Sequence, residues 1–323
     1  MEKDWERKME TYRNHEKKKV IALIEKGWFN NDPGDGRFVD HNHKYVLQNS
    51  DNNFYQPIIK NVKDYFKYNE IHWWRGTEPT GHTLSAQTSC LNHLFPIRTD
   101  KEAVLALLSS FSGNFTDVMQ IVTDKYEPGY ISFEQVSDND LLNEGHPTRG
   151  SMCTSIDACI HAVHQNGAKW LIIMSWRYAE SYDNIDKSSG PTGEIRRKRY
   201  DGLIHRSSQL ICDPLQDKKN CYYFDPFYSL MRQTIWAEQM ISNNKKETIS
   251  ADKFLHIHVV PGKNIELLGN IYSCSKKDMA STWRSCLAYQ SKYKIVTPEI
   301  LLSNLNHKYD KLKQYLLTRY WSS

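Results

Sequence analysis

The chain predicts an α/β or mixed α+β fold in which a central mixed β-sheet is flanked by helices. Two observations point there. The strand-like runs, "YISFEQV" (130–136), the apolar pair within 155–178 and "FLHIHVVPG" (254–262), are gathered in the middle of the chain. Segments with helical periodicity lie on both sides of them in sequence, the order expected when helices cover a sheet.

The elements follow in chain order. Residues 1–27 place Trp5, Met9, Tyr12, Val20, Leu23 and Ile24 among many charges and read as one or two surface helices. "NNDPGDGRFVDHNHKY" then breaks the helix with proline and glycine. That break divides an N-terminal helical extension, residues 1–45, from a main domain over 46–323 with C-terminal helices. In "TGHTLSAQTSCLNHLFPIRTDKEAVLALLSSF" one helix starts near Thr83 and stops at Phe95–Pro96. A second is capped by Thr99 or Asp100, has Glu102 in its first turn and runs to about Phe111. The alternation of 130–136 is that of a short strand. After the hairpin and a polar "DNIDKSSGPTG", "DPFYSLMRQTIWAEQMIS" forms an amphipathic helix that turns Leu230, Ile235 and Met240 inward. "FLHIHVVPG" is a strand stopped by Pro261, and "SKKDMASTWRSCLAYQ" and "TPEILLSNLNHKYDKLKQYLLTRY" are helical, the last with Thr-Pro at its start.

The bulk properties exclude several classes. With 323 residues, 39% hydrophobic and 25% charged, the chain is long enough for a substantial core and has an ordinary globular composition. No apolar run approaches the ~20 residues needed to cross a bilayer. The opening "MEKDWERKMETYRNHEKKK" carries no apolar signal core, and the seven cysteines are scattered without a C-x-x-C pair. A cytoplasmic protein with reduced thiols and no zinc ribbon is therefore expected. The net charge of +4 is compatible with a polyanionic partner without requiring one. "GPTG" lacks the Lys-Ser/Thr of a phosphate-binding loop, so nucleotide use is not supported. His41/His43 and His256/His258 form H-x-H pairs with no third ligand at a recognisable spacing, which favours structural or solvent-facing histidines over zinc.

The chemistry concentrates in "TSIDACIHAVHQNGAKWLIIMSWRYAES", two apolar strands (155–163 and 170–178) around an Asn-Gly turn. A two-residue loop would set Asp157 opposite Trp176. A three-residue loop, Gln165-Asn166-Gly167 with a left-handed Gly167, sets it opposite Ser175 with Arg177 on the diagonal. The second is preferred because it gives a buried carboxylate polar company. Spacing alone leaves two meanings: an ion pair that stabilises the sheet, or a site in which a strand aspartate holds a hard cation beside a cationic side chain.

Five blocks in order, "EPTGHTLSAQTSCLNHLFPIR", "RGSMCTSIDACIHAV", "WLIIMSWRYAESY", "FDPFYSLMRQTIWAEQMI" and "FLHIHVVPGKN", resemble a bacterial family assigned as restriction endonucleases, within the PD-(D/E)xK nuclease superfamily. The resemblance extends from about Trp73 to about Leu302. It implies a restriction-endonuclease-like core and Mg²⁺-dependent hydrolysis of double-stranded DNA, with Mn²⁺ as a substitute. Asp157 matches the metal-binding aspartate. The third-strand Glu-x-Lys is replaced by Ser175-Trp176-Arg177. Serine is a poor Mg²⁺ ligand, and arginine keeps the charge but cannot act as a base; Arg177 retains an electrostatic role toward the phosphate. The departure admits an alternative, a nuclease fold that holds DNA or a protein without cutting.

Some restriction enzymes of the superfamily recruit a carboxylate from the following helix, for which Glu180, Asp183 and Glu194 are candidates. Glu180 has the strand parity of Trp176 and Tyr178 and points away if the strand continues, so Glu194 is preferred. Glu134 and Glu144 are both eligible as the upstream metal-binding acid. Arg196, Arg197, Lys198 and Arg199 are the candidate phosphate contacts. Gln87 and Asn92 either support the site or pack their helix. A homodimer is an analogy with enzymes that read palindromes.

Overall fold

A computed structural model describes residues 10–211 and 220–322. Trp5 and Met9 lie outside these residues. Helix α1 (Tyr12–Glu25) starts at Thr11, whose side chain caps Asn14 N, and it is more than a surface helix: Tyr12, Glu16, Val20 and Ile24 are buried. A small hairpin, β1 (Gly36–Phe38) and β2 (His41–His43), follows. Next come α2 (Ile59–Tyr68), α3 (Ala86–Leu94) and α4 (Lys101–Ser109). Ser85 caps α3 and Asp100 caps α4, each accepting a hydrogen bond from a first-turn amide.

Among the described residues the main sheet has six strands: β3 (Phe115–Met119), β4 (Ile131–Gln135), β5 (Ile156–His164), β6 (Lys169–Trp176), β7 (Lys253–Val259) and β8 (Tyr293–Val296). Its order is β3-β5-β6-β7-β8, and β4 also pairs with β5. The pairs of β5 with β3, β4 and β6 are antiparallel, and β6-β7 and β7-β8 are parallel, so the sheet is mixed. β4 takes the first half of β5 (Gln135↔Ile156, Ile131↔Ile160) and β3 its second half (Met119↔His161, Phe115↔His164). Between β6 and β7 run α5 (Gly190–His205) and α6 (Phe227–Ser242). Helices α7 (Ile265–Leu268) and α8 (Met279–Ser285) precede β8, and α9 (Pro298–Leu301) and α10 (Asp310–Leu316) follow it.

Each sheet face has its own core. Ala158, Ile160, Ile172, Met174 and Ile257 pack under α2, α3, α4 and α10. Cys159, Leu171, Ile173 and Phe254 pack under α5, α6 and α8. Burial on both faces explains why β5 and β6 read as nearly continuous apolar runs.

The hairpin adopts the three-residue loop. His164 N donates to Ala168 O (2.9 Å), and Gly167, with φ 81°, donates from its N to His164 O (2.8 Å). Pairing from Val163↔Lys169 to Ala158↔Met174 sets Asp157 opposite Ser175.

The cysteine expectation is corrected. Cys221 and Cys274, 53 residues apart, form a disulfide, because the segment before α6 and the segment after α7 bring together positions whose spacing carries no signal. Cys212 lies outside the described residues. Among the described residues no helix is long and apolar enough to cross a membrane.

Ile172, fully buried in the central strand, tests this packing. Ile172→Ala should lower unfolding stability by about 2–5 kcal/mol in a denaturant titration, the range for emptying a buried aliphatic site.

Candidate active site

Strands β4, β5 and β6 converge at one end on a cleft of about 400 Å³. Its walls include Glu134, Asp157, Arg177 and Glu180, with Gln87 from α3 and Arg13 from α1.

Asp157 is the second residue of β5. Its Oδ2 accepts from Trp176 N (2.6 Å) and lies 3.5 Å from Arg177 Nη1. Glu134 stands across from it in the β4–β5 register, between Phe133↔Ala158 and Gln135↔Ile156. Its φ of 48° is left-handed, a conformation that a non-glycine residue holds at a cost of about 1–3 kcal/mol. Arg149 holds the strand there. Its Nη2 donates to Phe133 O (2.5 Å), Ser132 Oγ (2.8 Å) and Tyr65 OH (2.9 Å), its Nη1 to Asp124 Oδ1 (3.0 Å), and its Nε to Glu134 O (3.3 Å). Gly150 beside it must be glycine: φ is 76°, and a Cβ would fall 2.4 Å from His72 O. Gln87 Nε2 donates to Glu134 Oε1 (2.8 Å), and Gln87 Oε1 accepts from Trp74 N (3.0 Å).

Strand β6 ends at Trp176, and the chain then leaves the regular alternation. Arg177 Nη1 donates to Trp176 O (2.8 Å) and Nη2 to Ser229 Oγ (2.9 Å) on α6, while its buried Nε has no hydrogen-bond partner among the described residues. Three residues on, Glu180 accepts from Tyr178 N (2.6 Å) through Oε2. Asn264 Nδ2 pins this stretch by donating to Tyr178 O (3.1 Å) and Glu180 O (2.9 Å). Because the strand has ended, parity no longer directs Glu180 away, and it lines the cleft.

The electrostatics are those of acids crowded together. Burial, and then the charge of Asp157, push the Glu134 carboxyl up to about 8. Burial also raises Asp157, against the opposing pull of Arg177. Glu180 is raised chiefly by burial, with Arg177 again opposing. Two partly buried carboxylates opposite each other favour either a shared proton or a cation.

The remaining candidates are placed elsewhere. Ser175 is fully buried; its hydroxyl bonds Gln233 Oε1 and lies 3.1 Å from His256 Nε2, on the α6 side of the sheet. Glu144 accepts from Thr154 N (2.6 Å), Thr154 Oγ1 (2.7 Å) and Tyr200 OH (2.5 Å), and ties a loop to α5. Glu194 is exposed on α5, and neither it nor Glu144 lines the cleft. Arg196 Nη1 donates to Lys187 O (2.9 Å), Arg197 donates to Ser188 O, Lys198 is exposed, and the Arg199 carbonyl accepts from Asn143 Nδ2 (3.0 Å). None of these four cations lines the cleft either. Burial lowers His256 to about 3, so it stays neutral, and His258 Nδ1 meets Tyr293 OH at 2.8 Å.

Among the described residues, no three His, Cys, Asp or Glu side chains converge tightly enough to hold a metal ion alone. The donors present nevertheless fit Mg²⁺. It takes hard oxygen ligands, uses one or two carboxylates and fills the remaining positions with water and phosphate oxygens. Asp157 and Glu134 offer such a pair, on opposed positions of β5 and β4 in the same cleft.

A mixed sheet between helical layers, with acids and an arginine gathered at the end of a central antiparallel pair, is consistent with a restriction-endonuclease-like core. The family described as restriction endonuclease associating with ARP has a model that matches residues 7–321, and the chain belongs to that family. No curated protein and no solved structure matches the chain.

The pH dependence follows from Glu134. Its folded value, about 8, lies above the ordinary carboxyl value, so between the two the native state holds the extra proton. The metal-free protein should therefore lose stability as pH rises through that window, toward about 8. Mg²⁺ must displace the proton, so its affinity should climb about tenfold per pH unit below that value and then level off. Calorimetric Mg²⁺ titrations between pH 6 and 9 check both the slope and the proton release; Glu134→Gln should abolish the slope.

Proposed function

We propose that the chain is a metal-dependent endodeoxyribonuclease of the PD-(D/E)xK type, hydrolysing phosphodiester bonds of double-stranded DNA in a bacterial restriction or defence system. The observation that carries this reading is the sharing of one cleft by Glu134, Asp157, Glu180 and Arg177, with Glu134 pushed up by burial and then by the charge of Asp157. Asp157 and Glu134 would hold Mg²⁺, or Mn²⁺ in its place. Bound there, the ion would polarise the phosphate and lower the pKa of a coordinated water.

The chain's own groups have distinct parts. Glu180 supplies the carboxylate that Ser175 does not, and its raised affinity for protons suits it to accept one from the attacking water. Arg177, permanently charged and fixed by Trp176 O and Ser229, faces the phosphate as charge builds on its oxygens. Arg196, Arg197, Lys198 and Arg199 add salt-dependent affinity along the backbone in this reading. A two-fold dimer and a cytoplasmic setting belong to the same proposal, as does a partnership with ARP, which the family description names.

A second reading, a nuclease fold that holds DNA without cutting, rests on one contact: the Arg177 guanidinium lies against Asp157 at 3.5 Å and partly replaces a metal's charge. The purified chain incubated with mixed duplex DNA and Mg²⁺ or Mn²⁺ separates the two. The expected outcome is metal-dependent cutting that falls about 10²-fold or more in Asp157→Asn. Glu180→Gln compared with Glu194→Gln identifies the recruited carboxylate by the larger loss, expected at Glu180. Salt-sensitive binding without cutting would favour the second reading.

A further inference from the structure

The mouth of the cleft carries an aromatic surface that the proposed hydrolysis does not use. Trp74 lines the cleft and is 39% exposed. Among the described residues it is the one tryptophan that stands exposed, since Trp73, Trp176, Trp236 and Trp283 are buried and Trp28, Trp170 and Trp321 half-buried. Its ring stacks on Phe38 of β1, with centroids 5.4 Å apart and planes at 26°, and meets the edge of His82 at 5.7 Å. Arg75, held left-handed at φ 64°, lays its guanidinium 5.4 Å from the Trp74 ring and 5.5 Å from that of Phe38. The indole is thus backed, oriented and flanked by a cation while part of its surface meets solvent.

The platform belongs mechanically to the acidic site. Trp74 N donates to Gln87 Oε1, and Gln87 Nε2 donates to Glu134 Oε1, so one side-chain amide separates the platform's backbone from a carboxylate of the cleft. Arg13 lines the same cleft from α1 and faces His82, which burial and the Arg13 charge keep neutral, lowered to about 4. An occupant of this mouth must offer a flat apolar face to the indole and negative charge to Arg75 and Arg13. A nucleotide offers both in one unit, base and phosphate, and a simple anion offers only the second.

We infer that Trp74 is a base-stacking subsite, which receives one nucleobase of the strand whose phosphate enters the cleft. A base can reach the indole only by leaving the duplex stack, so an unpaired base at that position binds more tightly than a paired one. The inference rests on the nuclease reading for the identity of its ligand as DNA.

The test uses the full-length chain in Ca²⁺ with two short duplexes, one carrying an unpaired 2-aminopurine and one fully paired. The unpaired probe should bind tighter and lose fluorescence on binding. Trp74→Ala should abolish the quenching and weaken binding about 5- to 100-fold, the worth of one stacked base. Trp74→Phe should restore most of both, which excludes misfolding as the cause of the loss. Equal affinity and quenching in wild type and Trp74→Ala would overturn the subsite and leave the nuclease reading standing. Trp74-dependent quenching without Mg²⁺-dependent cutting would uphold the subsite and remove the nuclease reading. Failure of the folded wild type to bind either duplex would overturn both.

Discussion

The cleft depends on keeping Glu134 and Asp157, both only partly exposed, opposite each other on neighbouring strands. Two carboxylates in a low-dielectric setting repel, and each also loses hydration, so the arrangement is expensive by itself. The molecule does not relieve it with a local lysine. It instead makes the alternatives inaccessible. Arg149 fastens β4 through Phe133 O, Ser132 and the Glu134 carbonyl, so the left-handed turn at Glu134 cannot relax into ordinary strand geometry. The Trp176 amide fixes Asp157 and the Gln87 amide fixes Glu134. The pairing of β4 with β5, Phe133↔Ala158 and Gln135↔Ile156, then puts the acids opposite each other. The strain is thus borne by distant, well-packed elements, an arrangement common where a site must be ready before its ligand arrives.

Part of this was legible in the sequence for identifiable reasons. The hairpin register could be reasoned out because one residue of slip would have buried a carboxylate beside a tryptophan, and Gly167 could supply the left-handed position a three-residue loop needs. The central strands and the α4 cap followed from periodicity and capping chemistry. β3 and β8 were not anticipated. They are short, partly exposed strands whose identity comes from pairing with β5 and β7, and local pattern carries little of that.

The site itself was legible by residue type more than by position. Asp157 and Arg177 stood out as charges in apolar runs. Glu134 and Glu144 were equally eligible, and what distinguishes them is tertiary: one lies beside β5 at the cleft, the other is consumed by Thr154 and Tyr200. Glu180 was set aside on strand parity, an argument that holds only while the strand lasts. β6 stops at Trp176, and the anchor that redirects the chain, Asn264, is 84 residues away from Glu180. Ser175 shows the complementary limit. Its register with Asp157 was foreseeable, but its hydroxyl is occupied by Gln233 and His256.

An arginine at position 177, where a lysine would be a mobile point charge, has a consequence for how charge is distributed. A lysine facing two carboxylates could collapse onto them as a mobile point charge. The Arg177 guanidinium is instead divided among Trp176 O, Ser229 and a long 3.5 Å approach to Asp157. Its charge is held beside the acids without fully neutralising them: Asp157 and Glu180 remain raised by burial against its pull. The cleft therefore has a side that favours a cation, at Glu134, and a side that favours an anion, at Arg177. A lone metal ion satisfies the first and a lone phosphate the second. In the proposed reading, a phosphodiester that brings its oxygens to a bound divalent ion satisfies both at once, and an arginine that keeps its distance from Asp157 preserves this polarity better than a tight ion pair would.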